Sequence, residues 1–139
     1  DWQEHFPSLL QQVALREEVD KFPLQEQTIV GEKGILLSGG QKQRISLARA
    51  MATSCDLLIL DNVLSAVDYE TERYLLQQIF ARRQAKSLLI VSHRVTAVEK
   101  TDWILVLDEG RIVAQGTHEE LLQKPGYYQE MWSLQHETS

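Results

Sequence analysis

Ser38-Gly39-Gly40-Gln41, and then Asp61 closing the apolar run Leu57-Leu58-Ile59-Leu60, are residues whose types and spacing could do chemistry. That chemistry is the holding of a nucleotide phosphate and its magnesium. The first N–H groups of a helix lack intrahelical partners and the macrodipole places roughly +0.5 of a charge there, so an anion at this end gains about 0.3–1 kcal/mol. Gly39 and Gly40 let backbone approach an oxygen anion without a Cβ in the way, and Ser38 offers a hydroxyl. Gln41 stands third after Ser38, the spacing of a capping box, so the same residues also fit a helix cap with no ligand.

Leu57–Leu60, bounded by Cys55-Asp56 and Asp61-Asn62, reads as a strand buried on both faces of a parallel sheet. A carboxylate at the carboxyl end of such a strand lies where open α/β sheets place ligands, and magnesium prefers a hard oxygen, usually through retained waters. A cap facing a helix is the other reading of Asp61. Ser65-Ala66-Val67-Asp68 reads as a polar turn opening a helix, and Leu88-Leu89-Ile90-Val91-Ser92 as a second buried strand. His93 follows it, placed to donate to a γ-phosphate oxygen and sense its loss; alone, a strand-end histidine is more often a satisfied surface residue.

Together these residues resemble the nucleotide-binding domain of the ATP-binding cassette (ABC) superfamily. Leu37–Gln41 is similar to its signature loop, Leu57–Asp61 to its Walker B strand, Ser65–Asp68 to its D-loop, and His93 to its switch histidine, in the family's order from roughly Leu15 onward. Thr28–Gly34 resembles the segment with which exporter-type cassettes touch their transmembrane domains. Ala114–Leu122 and Gly126-Tyr127-Tyr128 are similar to the tail of bacterial multidrug or lipid exporters.

The resemblance implies an α/β fold: a P-loop NTPase-like ABC ATPase core with a mainly parallel sheet, truncated, plus part of the helical subdomain. It divides the chain into 1–40, the end of the helical subdomain up to the signature loop, and 41–139, the C-terminal part of the core. No Gly-x-x-x-x-Gly-Lys-Ser/Thr phosphate loop occurs in the 139 residues, so the expectation is a C-terminal piece of a longer polypeptide, inactive alone.

In this family two cassettes sandwich two ATP molecules. The resemblance implies that Ser38, Gly39, Gly40 and Gln41 act on a partner's nucleotide, while Asp61, through water on Mg2+, and His93 serve this subunit's own ATP. Asp68, also counted among the nucleotide-binding residues, would lie near the dimer seam and couple the two sites. The family's pattern has glutamate directly after the Walker B aspartate, to orient and deprotonate the attacking water. Here the position is Asn62, whose amide accepts no proton at ordinary pH. General-base assistance is worth about 10² to 10⁴ in rate, or roughly 3–5 kcal/mol of barrier, so this site is expected to bind MgATP and hydrolyse it poorly. Val63 and Leu64 also replace the family's usual proline and small polar residue, as in a drifted site.

With the signature intact, the pattern resembles one half of a heterodimeric exporter. The implied partners are a second nucleotide-binding domain and the transporter's transmembrane domains, at the cytoplasmic face of the plasma (inner) membrane. The alternatives are a non-hydrolysing regulatory subunit, a soluble translation factor, and a DNA-maintenance ATPase. The last would usually interrupt its cassette with a coiled coil, and no heptad run is present.

The elements that must position these residues follow from pattern. Pro7-Ser8 opens a helical region through about Lys21, with Leu9, Leu10, Val13, Leu15 and Val19 as an imperfect apolar face, and Pro23 ends it. Gln41–Thr53, Leu57–Asp61, Tyr69–Arg82 and Ser87–Ser92 read as helix, strand, helix, strand, an α/β layer with parallel strands. Asp102–Asp108 and Arg111–Gln115 flank Glu109-Gly110 as a hairpin, and Thr117 with Glu120 starts another helix through a capping-box spacing.

Trp103, Trp132, Tyr127 and Tyr128 are expected to pack rather than to stack on bases. At 43% apolar and 24% charged the composition is that of an ordinary globular domain, and no apolar run approaches the roughly 18 residues of a membrane span. A net charge of −6 gives no support to nucleic-acid binding. Cys55, the single cysteine, reads as a reduced core thiol.

Overall fold

The computed structural model describes residues 2–82 and 85–137; residues 1, 83, 84, 138 and 139 of the two expected parts lie outside the described residues. The chain forms two compact units, Asp1–Leu89 and Ile90–Ser139.

The first unit begins with two helices where the sequence suggests one: α1 (Trp2–Gln12), with Pro7 inside it, and α2 (Arg16–Asp20). The helical region expected from Pro7-Ser8 through about Lys21 is therefore two helices, and it starts earlier, at Trp2. The break is a Schellman turn, in which Leu15 N–H donates to Leu10 O at 2.8 Å and Ala14 N–H to Gln11 O at 3.0 Å, with Ala14 left-handed at φ 54°. Apolar burial drives it, because Leu10, Val13 and Leu15 are all buried and an uninterrupted helix would spread them over separate faces.

Helix α3 (Gly39–Met51) packs on α1 and buries Leu47 and Met51. It starts two residues before the expected Gln41 because the cap is Ser38 itself. Strand β1 (Leu57–Asp61) and helix α4 (Tyr69–Arg82) have the expected bounds, and β2 (Ser87–Val91) ends one residue early. The strands β1 and β2 hydrogen-bond as neighbours and are joined by a crossover through α4, the connection that parallel strands need. Burial along β1 alternates, however: Leu58 and Leu60 are buried while Leu57 and Ile59 are 51% and 55% exposed, so the expectation of a strand covered on both faces is corrected. Among the described residues, one face of the strand is buried and the other is about half covered. Cys55 is half-buried and forms no disulfide.

The second unit holds the hairpin of β3 (Ile104–Asp108) and β4 (Arg111–Gly116), antiparallel with Asp108 opposite Arg111. Glu109 and Gly110 are both left-handed, at φ 44° and 75°, which gives the two-residue turn whose twist matches the flanking strands. A bulge between Val106 and Leu107 shifts the register. Helix α5 (His118–Leu122) starts at the Thr117 capping box and packs with α6 (Tyr127–Glu137). Val95, Ile104, Val106, Leu121 and Tyr128 form this unit's core, with Trp132 packed against it. Trp103 and Tyr127, expected to pack, are instead more than half exposed. No helix among the described residues is long and apolar enough to cross a membrane.

Candidate nucleotide site

The tip of α3 is built by a reciprocal cap. Ser38 Oγ accepts the Gln41 N–H at 3.1 Å, and Gln41 Oε1 accepts the Ser38 N–H at 2.8 Å. Accepting occupies a lone pair and leaves the Ser38 proton to donate. The cap satisfies the Gln41 N–H and leaves those of Gly39 and Gly40 at the positive end of a 13-residue helix. The rest of the Gln41 amide turns inward, with Nε2–H donating to Glu18 Oε2. The tip therefore presents one hydroxyl and glycine backbone, while Gln41 is used as structure.

Glu18 and Arg44, to which sequence reasoning gave no role, hold this tip in place. Arg44 Nη2 meets Glu18 Oε1 at 2.6 Å, its Nε–H reaches Gly40 O at 3.3 Å, and its Nη1–H donates to Ala14 O, the carbonyl left by the Schellman turn. Arg44 is only 12% exposed and Glu18 34% exposed, so water screens the pair less than a surface pair. Arg44 was visible within the signature stretch. Nothing local pairs it with a glutamate 26 residues away.

Asp61 ends β1 with its side chain exposed, at the strand's carboxyl end. Asn62 follows in a left-handed conformation, φ 53°, which asparagine adopts more readily than most residues. The chain then turns, with Ser65 N–H to Asn62 O and Val67 N–H to Leu64 O both at 3.4 Å. Asp68 caps α4: Oδ1 accepts the Thr71 N–H at 2.9 Å and Oδ2 the Thr71 hydroxyl at 2.7 Å. The Thr71 N–H, and secondly its hydroxyl, hold the Asp68 carboxyl below its ordinary value of 3.8. Stability from this cap is present above that value and is lost as pH falls through the depressed one.

The structure thus gathers Ser38–Gln41 and the Asn62–Asp68 loop in the first unit, where a Cβ built on Gly40 would stand 2.9 Å from Ala66 O. His93 belongs to the second unit and is exposed. There Gln135 of α6 fixes the segment, its Nε2–H donating to His93 O at 3.4 Å and its Oε1 accepting the Val95 N–H at 2.9 Å. Thr28–Gly34 is a tight loop, closed by Gly31 N–H to Ile35 O and Ile35 N–H to Ile29 O, both at 3.0 Å, with Ile29 and Val30 exposed.

A capped, glycine-led helix tip and a strand-end aspartate in one α/β unit are features that suit a nucleotide-binding class of protein. The comparisons specify the family. The ABC transporter family model matches residues 3–65. The "Probable multidrug resistance ABC transporter ATP-binding/permease protein YheI" of Bacillus subtilis is 51% identical over 109 residues, covering 78% of this chain and 19% of that protein. The "ATP-dependent lipid A-core flippase" of Sodalis glossinidius is 47% identical over 108 residues, again 78% and 19%, and that of Pseudomonas putida is 44% identical over 119 residues, 86% and 20%. The solved "Structure of a bacterial Atm1-family ABC exporter with ATP bound" superposes with a TM-score of 0.82 at 36% identity, covering 93% of this chain and 23% of that one. The chain belongs to the ABC transporter family, as part of an ATP-binding domain. It spans about a fifth of the length of the curated relatives it matches.

Proposed function

We propose that this chain is part of the engine of an ABC exporter, binding and hydrolysing ATP to drive a small molecule or lipid across a membrane. The observation that carries the reading is the cap at Ser38, which leaves a hydroxyl proton and two glycine N–H groups at a helix tip. That is the donor set for the γ-phosphate of an ATP held by a second nucleotide-binding domain. Relatives named as a flippase and a multidrug transporter support the transport reading.

For this subunit's own nucleotide, Asp61 fits magnesium, which takes one or two carboxylates and fills its remaining positions with water and phosphate oxygens. When bound, the ion neutralises phosphate charge. Asp61 would hold it through water, and Asn62 would orient a water without removing its proton; for His93, in the other unit, a γ-phosphate contact is proposed on the family resemblance alone. This site therefore binds ATP and turns it over slowly, while the signature completes a competent site on a different partner subunit. Exposed Ile29 and Val30 suit a contact with the transmembrane domains, and the reading puts the chain on the cytoplasmic side of the membrane.

Steady-state ATP hydrolysis by the intact transporter tests this. Ser38→Ala is expected to lower kcat about tenfold or more, with the half-saturating ATP concentration little changed. Hydrolysis unaffected by Ser38→Ala would refute the assignment.

A further inference from the structure

Gln43 lies on α3 one turn beyond the cap, and its side-chain amide grips the loop that follows β1. Its Nε2–H donates to Ser65 Oγ at 3.0 Å and its Oε1 accepts the Ala66 N–H at 3.1 Å. A second contact seats the same loop. The Cβ that Gly40 lacks would stand 2.9 Å from Ala66 O and 3.7 Å from Val67 Cγ1, and that of Gly39 3.8 Å from Ala66 Cβ. Backbone packs on backbone at the helix tip while the amide pins two adjacent residues from one side.

The two 3.4 Å hydrogen bonds inside the loop are long, and the bonds from Gln43 at 3.0 and 3.1 Å are shorter, so the grip from α3 contributes to where the loop sits. We propose that Gln43 is a positioning residue that fastens the Ser65–Ala66 loop to the signature helix, so that Ser38 and Asp68 reach a partner's nucleotide as one piece. The proposal rests on the exporter reading above. An amide suits the task because it donates and accepts in one plane, and it holds the loop in both distance and orientation. Misplacing a catalytic group by about 1 Å can cost on the order of 10²-fold in rate, so a brace outside the site has leverage on turnover.

The test uses the intact transporter and its ATP hydrolysis. Gln43→Met keeps the side chain's length and removes both polar ends. Expected is a fall in kcat of about tenfold, with KM for ATP within roughly twofold of the parent. Ser65→Ala, which removes one of the two bonds, falls less, and in the double variant the losses do not multiply, because the Gln43–Ser65 bond is already gone in Gln43→Met. Losses that multiply in the double variant overturn the proposal, as does a lowered melting temperature with kcat unchanged. Ser38→Ala runs beside them: a loss there with Gln43→Met unaffected rejects the brace alone, and no loss there rejects the exporter reading and the brace with it.

Discussion

Glu18 and Arg44 meet at 2.6 Å across three helices, and through that pair the end of α1, the body of α2 and the tip of α3 become one rigid corner. Arg44 gives three of its donors to Glu18, Ala14 O and Gly40 O, and Glu18 takes Gln41 with its other oxygen. Glu18→Ala leaves a mostly buried guanidinium without its counter-charge and Gln41 without its acceptor. A loss of about 1–3 kcal/mol in unfolding free energy is expected by chemical denaturation. Glu18→Gln, which keeps the acceptor and removes the charge, is expected to lose less. Equal stability of all three proteins would show that the corner does not depend on this carboxylate.

At Asn62 two effects oppose each other. Asn62→Glu supplies a proton acceptor next to Asp61, worth about 10² to 10⁴ in rate where general-base assistance limits turnover. It also places a longer side chain at φ 53°, a region costing most L-residues roughly 1–2 kcal/mol. The expected result is faster ATP hydrolysis by the intact transporter together with a lower melting temperature. Asn62→Gly accepts the backbone conformation and brings no base, so it should leave hydrolysis slow and stability unharmed. If glutamate and glycine give the same turnover, the missing carboxylate is not what limits this site.

Tyr128 supplies a pH dependence. Burial, and secondly the charges of Glu99 and Glu119, push its phenol from 10.0 up to about 12. The folded chain thus favours the neutral phenol. The sign follows: the contribution is fully present below pH 10 and is lost as pH rises through about 12. Tyr128→Phe should flatten that part of the stability profile, while removing a 2.8 Å hydrogen bond with His118 Nδ1 costs about 1 kcal/mol near neutrality. A profile of unchanged slope between pH 10 and 12 would exclude Tyr128 as its source.

What the sequence disclosed was local. Ser38 with Gln41 and Thr117 with Glu120 show their caps in three-residue spacings, and both boxes form. Tyr69–Arg82 starts after a polar turn and stands as expected, and Gly110 marked the hairpin turn. What stayed hidden depends on distance along the chain. The break at Ala14 has no glycine to announce it; it exists because Leu10 and Leu15 bury together and because Arg44, 30 residues on, takes up the Ala14 carbonyl. The grip of Gln43 on Ser65 and Ala66 likewise needs β1 to bring the loop back to α3. The signature quartet was recognisable for its chemistry, whereas the residues that aim it were ordinary polar letters until folded.

The alternating exposure along β1 and β2 has a practical meaning. Leu57, Ile59, Leu89 and Val91 are each about half exposed on a ribbon that has two strands among the described residues, and such a ribbon is marginal unless its greasy side is covered. Purified by itself, the polypeptide should behave as an adhesive surface, prone to clump and to take up hydrophobic dyes, and its solubility should depend on whatever shields those four side chains.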